Sequence, residues 1–191
     1  MLQSHFTREL RRLNGSTRAE LRQWLFVAGM RFGDTDKWWK EGEARSRPHE
    51  GLDLLFFLDD NGGRHLLPPG TIVPPLLAGI EVARSVDFLG ETIIITHDHW
   101  DEAGRRLHTF YAHLQLEKPA RSGRAVAIGD RVGRIAASAH PAPACPPHLH
   151  LSLAWVGEAY PIKDFRWEGF NPSELFVPVD PVVLVTGPGI R

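Results

Sequence analysis

In "PPHLHLSLAWV", residues 146–156, Leu149, Leu151 and Leu153 alternate with histidines at 148 and 150. Period-two alternation marks a strand packed on one face, because successive side chains of an extended chain point to opposite sides. The leucines fill the packed face, and His148 and His150 share the other, about 6.6 Å apart along the strand. Runs of the same character extend outward from it: "LDLLFFL" (52–58), "TIVPPLLAGIEVARSV" (71–86), "ETIIITH" (91–97), "RLHTFYAHLQL" (106–116) and "RVGRIAA" (131–137). They are short and punctuated by Gly and Pro, with hairpin chemistry in "DDNGGRH" (59–65). No long helical pattern interrupts them, which disfavours alternating parallel α/β architecture. The fold predicted is mostly β, an antiparallel β-sandwich or barrel-like arrangement with an N-terminal helical extension.

The flanks read differently. "TRAELRQWLFVAGM" (17–30) predicts a helix, with Thr17 and Glu20 as a capping box and Leu21, Trp24, Leu25 and Ala28 at helical spacing. A polar stretch follows (33–50), in which Trp38 and Trp39 read as packing residues. The tail from Gly157 is rich in Pro and aromatic residues, wraps the sheets and ends in a predicted short strand, "PVVLV" (181–185). The expected organisation is an extension over 1–46, a core over 47–156 and a packing tail over 157–191.

Composition excludes several functions. With 22 basic against 23 acidic residues the net charge is −1, so no global field gathers a polyanion, and nucleic acid is not an expected partner. A single cysteine, Cys145, excludes an intrachain disulfide and a cysteine-based zinc cluster, and in its proline-rich loop it reads as an incidental small residue. No run of 18 apolar residues exists to span a membrane, and the first 30 residues make no convincing signal peptide.

Three elements carry chemistry. His49 and Asp53 in "PHEGLD" stand four apart, so an extended chain can place both on one face, with Asp53 where a core residue is expected. A carboxylate buried there must be paired, hydrogen-bonded or bound to metal. His148 and His150 form the second element and His113 in "HTFYAHLQL" the third, where period two puts His113 on the face of Tyr111, opposite Phe110, Ala112 and Leu114. Each alone is as readily structural; His97 and His99 in "THDHW" show the same spacing and read as surface histidines. Together, two His and one Asp make a three-ligand zinc site with an open position for water, and two imidazoles remain to polarise that water or stabilise charge. Glu50 sits in a sequence where Gly51 opposes a helix, and reads as an exposed loop residue rather than the base of a helical zinc motif.

"HEGLD", "YAHL" and "PHLHLSL", in that order, resemble the three signatures of the lysostaphin/LytM-like family of zinc metalloendopeptidases, with its duplicated hybrid motif fold. The segments between them resemble the family's as well, over roughly Arg47 to Val156. The resemblance implies that His49, Asp53 and His150 hold one zinc ion and that His113 and His148 are catalytic, without deciding which is the general base. It implies peptide-bond hydrolysis in bacterial peptidoglycan, in glycine-containing bridges or stem-peptide cross-links, and a cell-envelope, periplasmic or secreted location. The chain departs from the family in "SAHPAPACPPHLH", longer and stiffer than the usual glycine-containing loop, which bears on substrate preference. The alternative within the fold is a non-catalytic peptidoglycan-binding or amidase-regulating module working with a regulatory partner. A lipoyl or biotinyl carrier, also a small β-sandwich, would need a lysine in the turn of "AVAIGDRVGRIAA", and none is there.

Overall fold

A computed structural model describes residues 4–15, 20–117, 122–137 and 145–187. Helix α1 (His5–Asn14) precedes strands β1 (Gln23–Leu25), β2 (Gly51–Leu54), β3 (Phe56–Leu58), β4 (Arg64–Leu66) and β5 (Ile72–Val73). Then come β6 (Gly79–Asp87), β7 (Gly90–Trp100), β8 (Arg106–Gln115), β9 (Ala125–Val126), β10 (Gly133–Ile135) and β11 (Leu149–Val156). A 3-10 turn (Ile162–Asp164), β12 (Phe176–Val179) and α2 (Val182–Thr186) close the described chain.

All pairings are antiparallel. The main sheet runs β12-β11-β8-β7-β6-β9, with β2 paired to β11 and β10 to both β5 and β8, and a smaller sheet runs β1-β3-β4. Both faces of the main sheet are covered, which is why its central strands hold unbroken apolar runs. Ile93 and Ile95 face one core with Leu52, Leu54, Leu149, Leu151, Leu153 and Phe6 and Leu10 of α1. Ile94 faces the other with Phe110, Ala112, Ala154 and the tail aromatics Phe165, Trp167, Phe170 and Phe176.

Two elements differ from expectation. The N-terminal helix lies at His5–Asn14, one element upstream of the predicted one: Ser4 caps it, and Phe6 and Leu10 are its buried apolar side chains. Thr17 is outside the described residues, and Gln23–Leu25 is a strand, because β3 offers a free edge whose backbone groups Leu25, Trp24 and Gln23 pair in register with Phe56, Phe57 and Leu58. "PVVLV" is helix α2 rather than a strand. Pro181 holds ψ at 0°, the amides of Leu184 and Val185 close on its carbonyl, and Leu184 and Val185 are buried beside α1. The Val185 carbonyl accepts from the Ser4 and Thr7 hydroxyls, a tertiary docking that overrides the β preference of valine.

His97 is buried, not a surface histidine; His99 is the exposed member of the pair. The His97 Nδ1 faces the Ala78 carbonyl at 2.8 Å and must carry the proton, so its Nε2 accepts from the Thr109 hydroxyl at 2.6 Å. Burial, together with the positive charge of neighbours such as His108 and Arg106, lowers its pKa from 6.5 to about 4. Below pH 6.5 the unfolded chain takes up a proton that the native chain refuses, so stability is full above that pH and declines as pH falls towards 4, by about 3 kcal/mol in all. Urea titrations at pH 7 and pH 4.5 should show a smaller drop for His97→Gln than for wild type; an equal drop would place the acid sensitivity elsewhere.

Candidate metal centre

Strand pairing assembles the site. β2 lies against β11 with Asp53 directly opposite His150, on the face away from the leucines. The glycine of "HEGLD" makes this approach possible: a Cβ at Gly51 would lie 2.6 Å from the Leu151 carbonyl oxygen and would also strike the Ser152 hydroxyl. His49, just before β2, is fixed from the N-terminal side by its amide on the Asp34 carbonyl and by the Gly33 amide on its own carbonyl. The Asp53 amide donates to Met30.

His49, Asp53 and His150 are all buried, and their ligand atoms lie within 4.8 Å of one another. His49 Nε2 is 3.2 Å from His150 Nδ1 and 3.3 Å from Asp53 Oδ1, and His150 Nδ1 is 2.9 Å from the same oxygen. Tetrahedral zinc with ligands about 2.1 Å away sets neighbouring donor atoms about 3.4 Å apart, so the triangle fits. The tautomers fit as well. His49 Nδ1 faces the Arg31 carbonyl at 3.1 Å and must donate to it, which leaves a lone pair on Nε2. His150 Nε2 meets the Ser152 hydroxyl at 2.9 Å, an outer contact of the kind that orients a ligating imidazole. The other Asp53 oxygen accepts from Trp38 Nε1 at 2.7 Å and Arg45 at 3.1 Å.

Charge reinforces the cluster. Burial raises the Asp53 pKa, but His49, His148 and hydrogen bonds from His148 and His150 outweigh it and hold the carboxyl well below its ordinary range. Burial lowers His150. Burial also acts on His148, yet the Asp53 carboxylate, 3.4 Å from its Nε2, brings it up to about 10. His113 is held well below the usual histidine range by burial and then by His148 and His150.

The structure brings all five residues together. His148 and His113 rings are 4.4 Å apart, and His148 Nδ1 donates to the Pro146 carbonyl at 2.8 Å. His113 does not share the face of Tyr111. Tyr111 points into the helix-covered core, where its hydroxyl accepts from the Leu76 amide, while His113 faces the metal-side histidines. The cause is a bulge: pairing slips between Ile93↔Tyr111 and Glu91↔Leu114, and His113 takes φ of 58°, the only non-glycine residue with positive φ among those described. The extra residue puts Ala112 and His113 on one side and returns Leu114 to the core. His113 Nδ1 is buried without a hydrogen-bond partner.

A cavity of about 310 Å³ opens over these residues. Its walls come from segments that sequence reasoning treated as packing. Trp38 both holds Asp53 and sets its ring against His148, 5.2 Å away, while Trp39 lines the cavity. Trp167 stands edge-on to His150 at 5.2 Å with its Nε1 on Thr92. Glu50 is half-buried and lines the cavity rather than lying free, with a carboxylate oxygen 3.7 Å from His150 Nε2. Cys145 lines it too, its sulfur 3.8 Å from His148 Nδ1; most of the proline-rich loop before it, residues 138–144, lies outside the described residues. The paired tryptophans just upstream of "HEGLD" were the one available sign of these walls. Helix α1 belongs to the opposite core and does not line this cavity.

No protein-family model and no curated protein matches the chain. Among solved structures it is similar to lysostaphin in solution, at 19% identity over 90% of this chain and 55% of that one, with a TM-score of 0.50. It is similar to a zinc-containing peptidase from Vibrio cholerae at 20% identity, over 85% of this chain and 39% of that one, with a TM-score of 0.49. LytU matches at 20% identity over 84% of this chain and 88% of that one, with a TM-score of 0.48. The chain thus spans well under two thirds of the first two proteins. The likeness to lysostaphin is one of fold, and this chain is mostly β and antiparallel, with an N-terminal helix.

Proposed function

We propose that this chain is a zinc metalloendopeptidase that hydrolyses peptide bonds of bacterial peptidoglycan, in cross-links or bridges, and works in the cell envelope. The observation that carries the reading is the buried triangle of His49, Asp53 and His150 donor atoms at zinc spacing, with His113, its Nδ1 free of any hydrogen-bond partner, and the ring of His148 beside it under an open cavity. Zinc held there would lower the pKa of a bound water and polarise the scissile carbonyl. His113 and His148 supply the proton acceptor and the donor that steadies developing negative charge, and Trp167 and Trp39 narrow the solvent's access. Trp38 and Arg45 fix Asp53 so that one oxygen points at the histidines. No helix among the described residues is long and apolar enough to cross a membrane.

A non-catalytic regulatory module of the same fold is disfavoured by the presence of both spare histidines and by the His113 backbone, a strained conformation that a binding surface does not require. Elemental analysis of untagged protein should find about one zinc per wild-type chain and none in His150→Ala, and the zinc-loaded wild type should release fragments from purified peptidoglycan. No zinc in wild type even when it is supplied at neutral pH would end the enzyme reading.

The Asp53 clamp predicts a graded result. Trp38→Phe removes one of the two donors to the outer oxygen and should weaken zinc affinity by roughly 10- to 100-fold, as loss of an outer partner does. Competition with a chelating dye measures it; unchanged affinity would make Trp38 a packing residue only.

A further inference from the structure

We propose that Arg47 is a carboxylate anchor of the cleft, selecting peptides that carry a free carboxylate close to the bond cleaved; this rests on the endopeptidase reading. Three lysine and arginine side chains line the cavity, Lys37, Arg45 and Arg47, beside two carboxylates, Glu50 and Asp53. Two of the three are engaged: Lys37 pairs with Glu43 at 2.9 Å and Arg45 with Asp53 at 3.1 Å. Arg47 is exposed, and among the described residues no carboxylate lies within ion-pair distance of it. Glu50, the one candidate on the same wall, turns towards His150 instead. The Arg47 guanidinium rests over the Phe170 ring, 5.6 Å from its centroid, and Phe170 lines the same cavity. A cation–π contact of this kind holds the group beside the ring, and its N–H donors, with no hydrogen bond or ion pair to the described residues, are open to a bidentate carboxylate.

Position limits the reach. Arg47 precedes the ligand His49 by two residues, which keeps its Cα within about 7 Å of the ligand's, and Arg47 lines one cavity with His113, His148 and His150. A carboxylate held by Arg47 therefore belongs to a residue close to the scissile bond. A neutral glycine bridge has nothing to offer this group; an acidic peptide does, through a side chain or a free C-terminus.

The test uses capped alanine–glycine hexapeptides with glutamate at successive positions, each matched by its glutamine counterpart, and a second set with free or amidated C-termini. Cleavage is followed with zinc-loaded wild type, Arg47→Gln and Arg47→Lys, and binding of the same peptides by tryptophan fluorescence in a His113→Asn background. The acidic member of one pair should be preferred roughly tenfold in kcat/KM, mainly through KM, and roughly tenfold in Kd. The preference should fall towards one in Arg47→Gln and be partly retained in Arg47→Lys. The responding set identifies a side-chain or terminal carboxylate. Cleavage without acid preference overturns the anchor and leaves the endopeptidase standing. Arg47-dependent acid binding without cleavage of any peptide or of peptidoglycan sinks the endopeptidase and keeps the anchor; equal binding of both members, or binding of neither, overturns the anchor.

Discussion

His113→Asn should keep one zinc per chain, melt close to wild type, and lose peptidoglycan hydrolysis by two to four orders of magnitude, the contribution of a positioned proton-transfer group. Asparagine is the informative replacement because it tolerates the left-handed conformation that His113 occupies at φ of 58°. A drop in activity then cannot be ascribed to a backbone that no longer fits the bulge. Stability should change little, since asparagine tolerates the sparsely populated φ that the native histidine holds at a cost. His148→Ala should lose activity to a similar degree and also retain zinc, because its ring meets the cluster only at Asp53, 3.4 Å away, and is not one of the three converging donors. Activity assays beside elemental analysis separate the outcomes. Zinc-free His148→Ala or His113→Asn protein would show that the spare histidines belong to the metal set, and full activity with zinc bound would remove them from the chemistry.

Alternation placed His148 and His150 on one face of a strand correctly, since a one-residue slip would have buried both in the leucine core. Asp53 was legible for a related reason: a carboxylate at a core-facing position demands a partner, and register supplies His150 opposite it. The orientation of His113 was not legible, because a bulge changes the parity of every residue after it and, with both faces of β8 packed on apolar cores, no alternation of polar and apolar residues records the change. Nor were the walls. Trp38 and Trp167 reach the site through chain returns, and a tryptophan with a hydrogen bond to a buried carboxylate has the same sequence appearance as one that only packs. The N-terminal helix was misplaced because Phe6 and Leu10 are few beside the richer apolar pattern of 21–28, part of which is consumed by the edge of β3. His97 resembled a surface residue because alternation cannot tell a buried imidazole with two partners from an exposed one.

Asp53→Asn should abolish stoichiometric zinc binding and, separately, destabilise the metal-free protein by about 3 kcal/mol, the cost of leaving one member of a buried ion pair without its counter-charge. The substitution preserves shape and an acceptor for Trp38 Nε1, so it isolates the charge. Arg45 is held within the fold by the carbonyls of Gly29 and Asp36 and by the Trp39 face, so it cannot swing to solvent without giving up those contacts. Urea titrations with a chelator present measure this first loss against metal-free wild type. Repeating them with zinc measures the second, because a ligand that binds only the native state stabilises it by about 4 kcal/mol at a thousand times its Kd, and Asp53→Asn should gain none of this. The gap between the two proteins therefore exists without zinc and widens with it. A gap present only with zinc would mean that the Arg45 pair contributes nothing to folding and that Asp53 serves the metal alone; a gap indifferent to zinc would mean that the carboxylate is a structural partner of Arg45 and not a ligand.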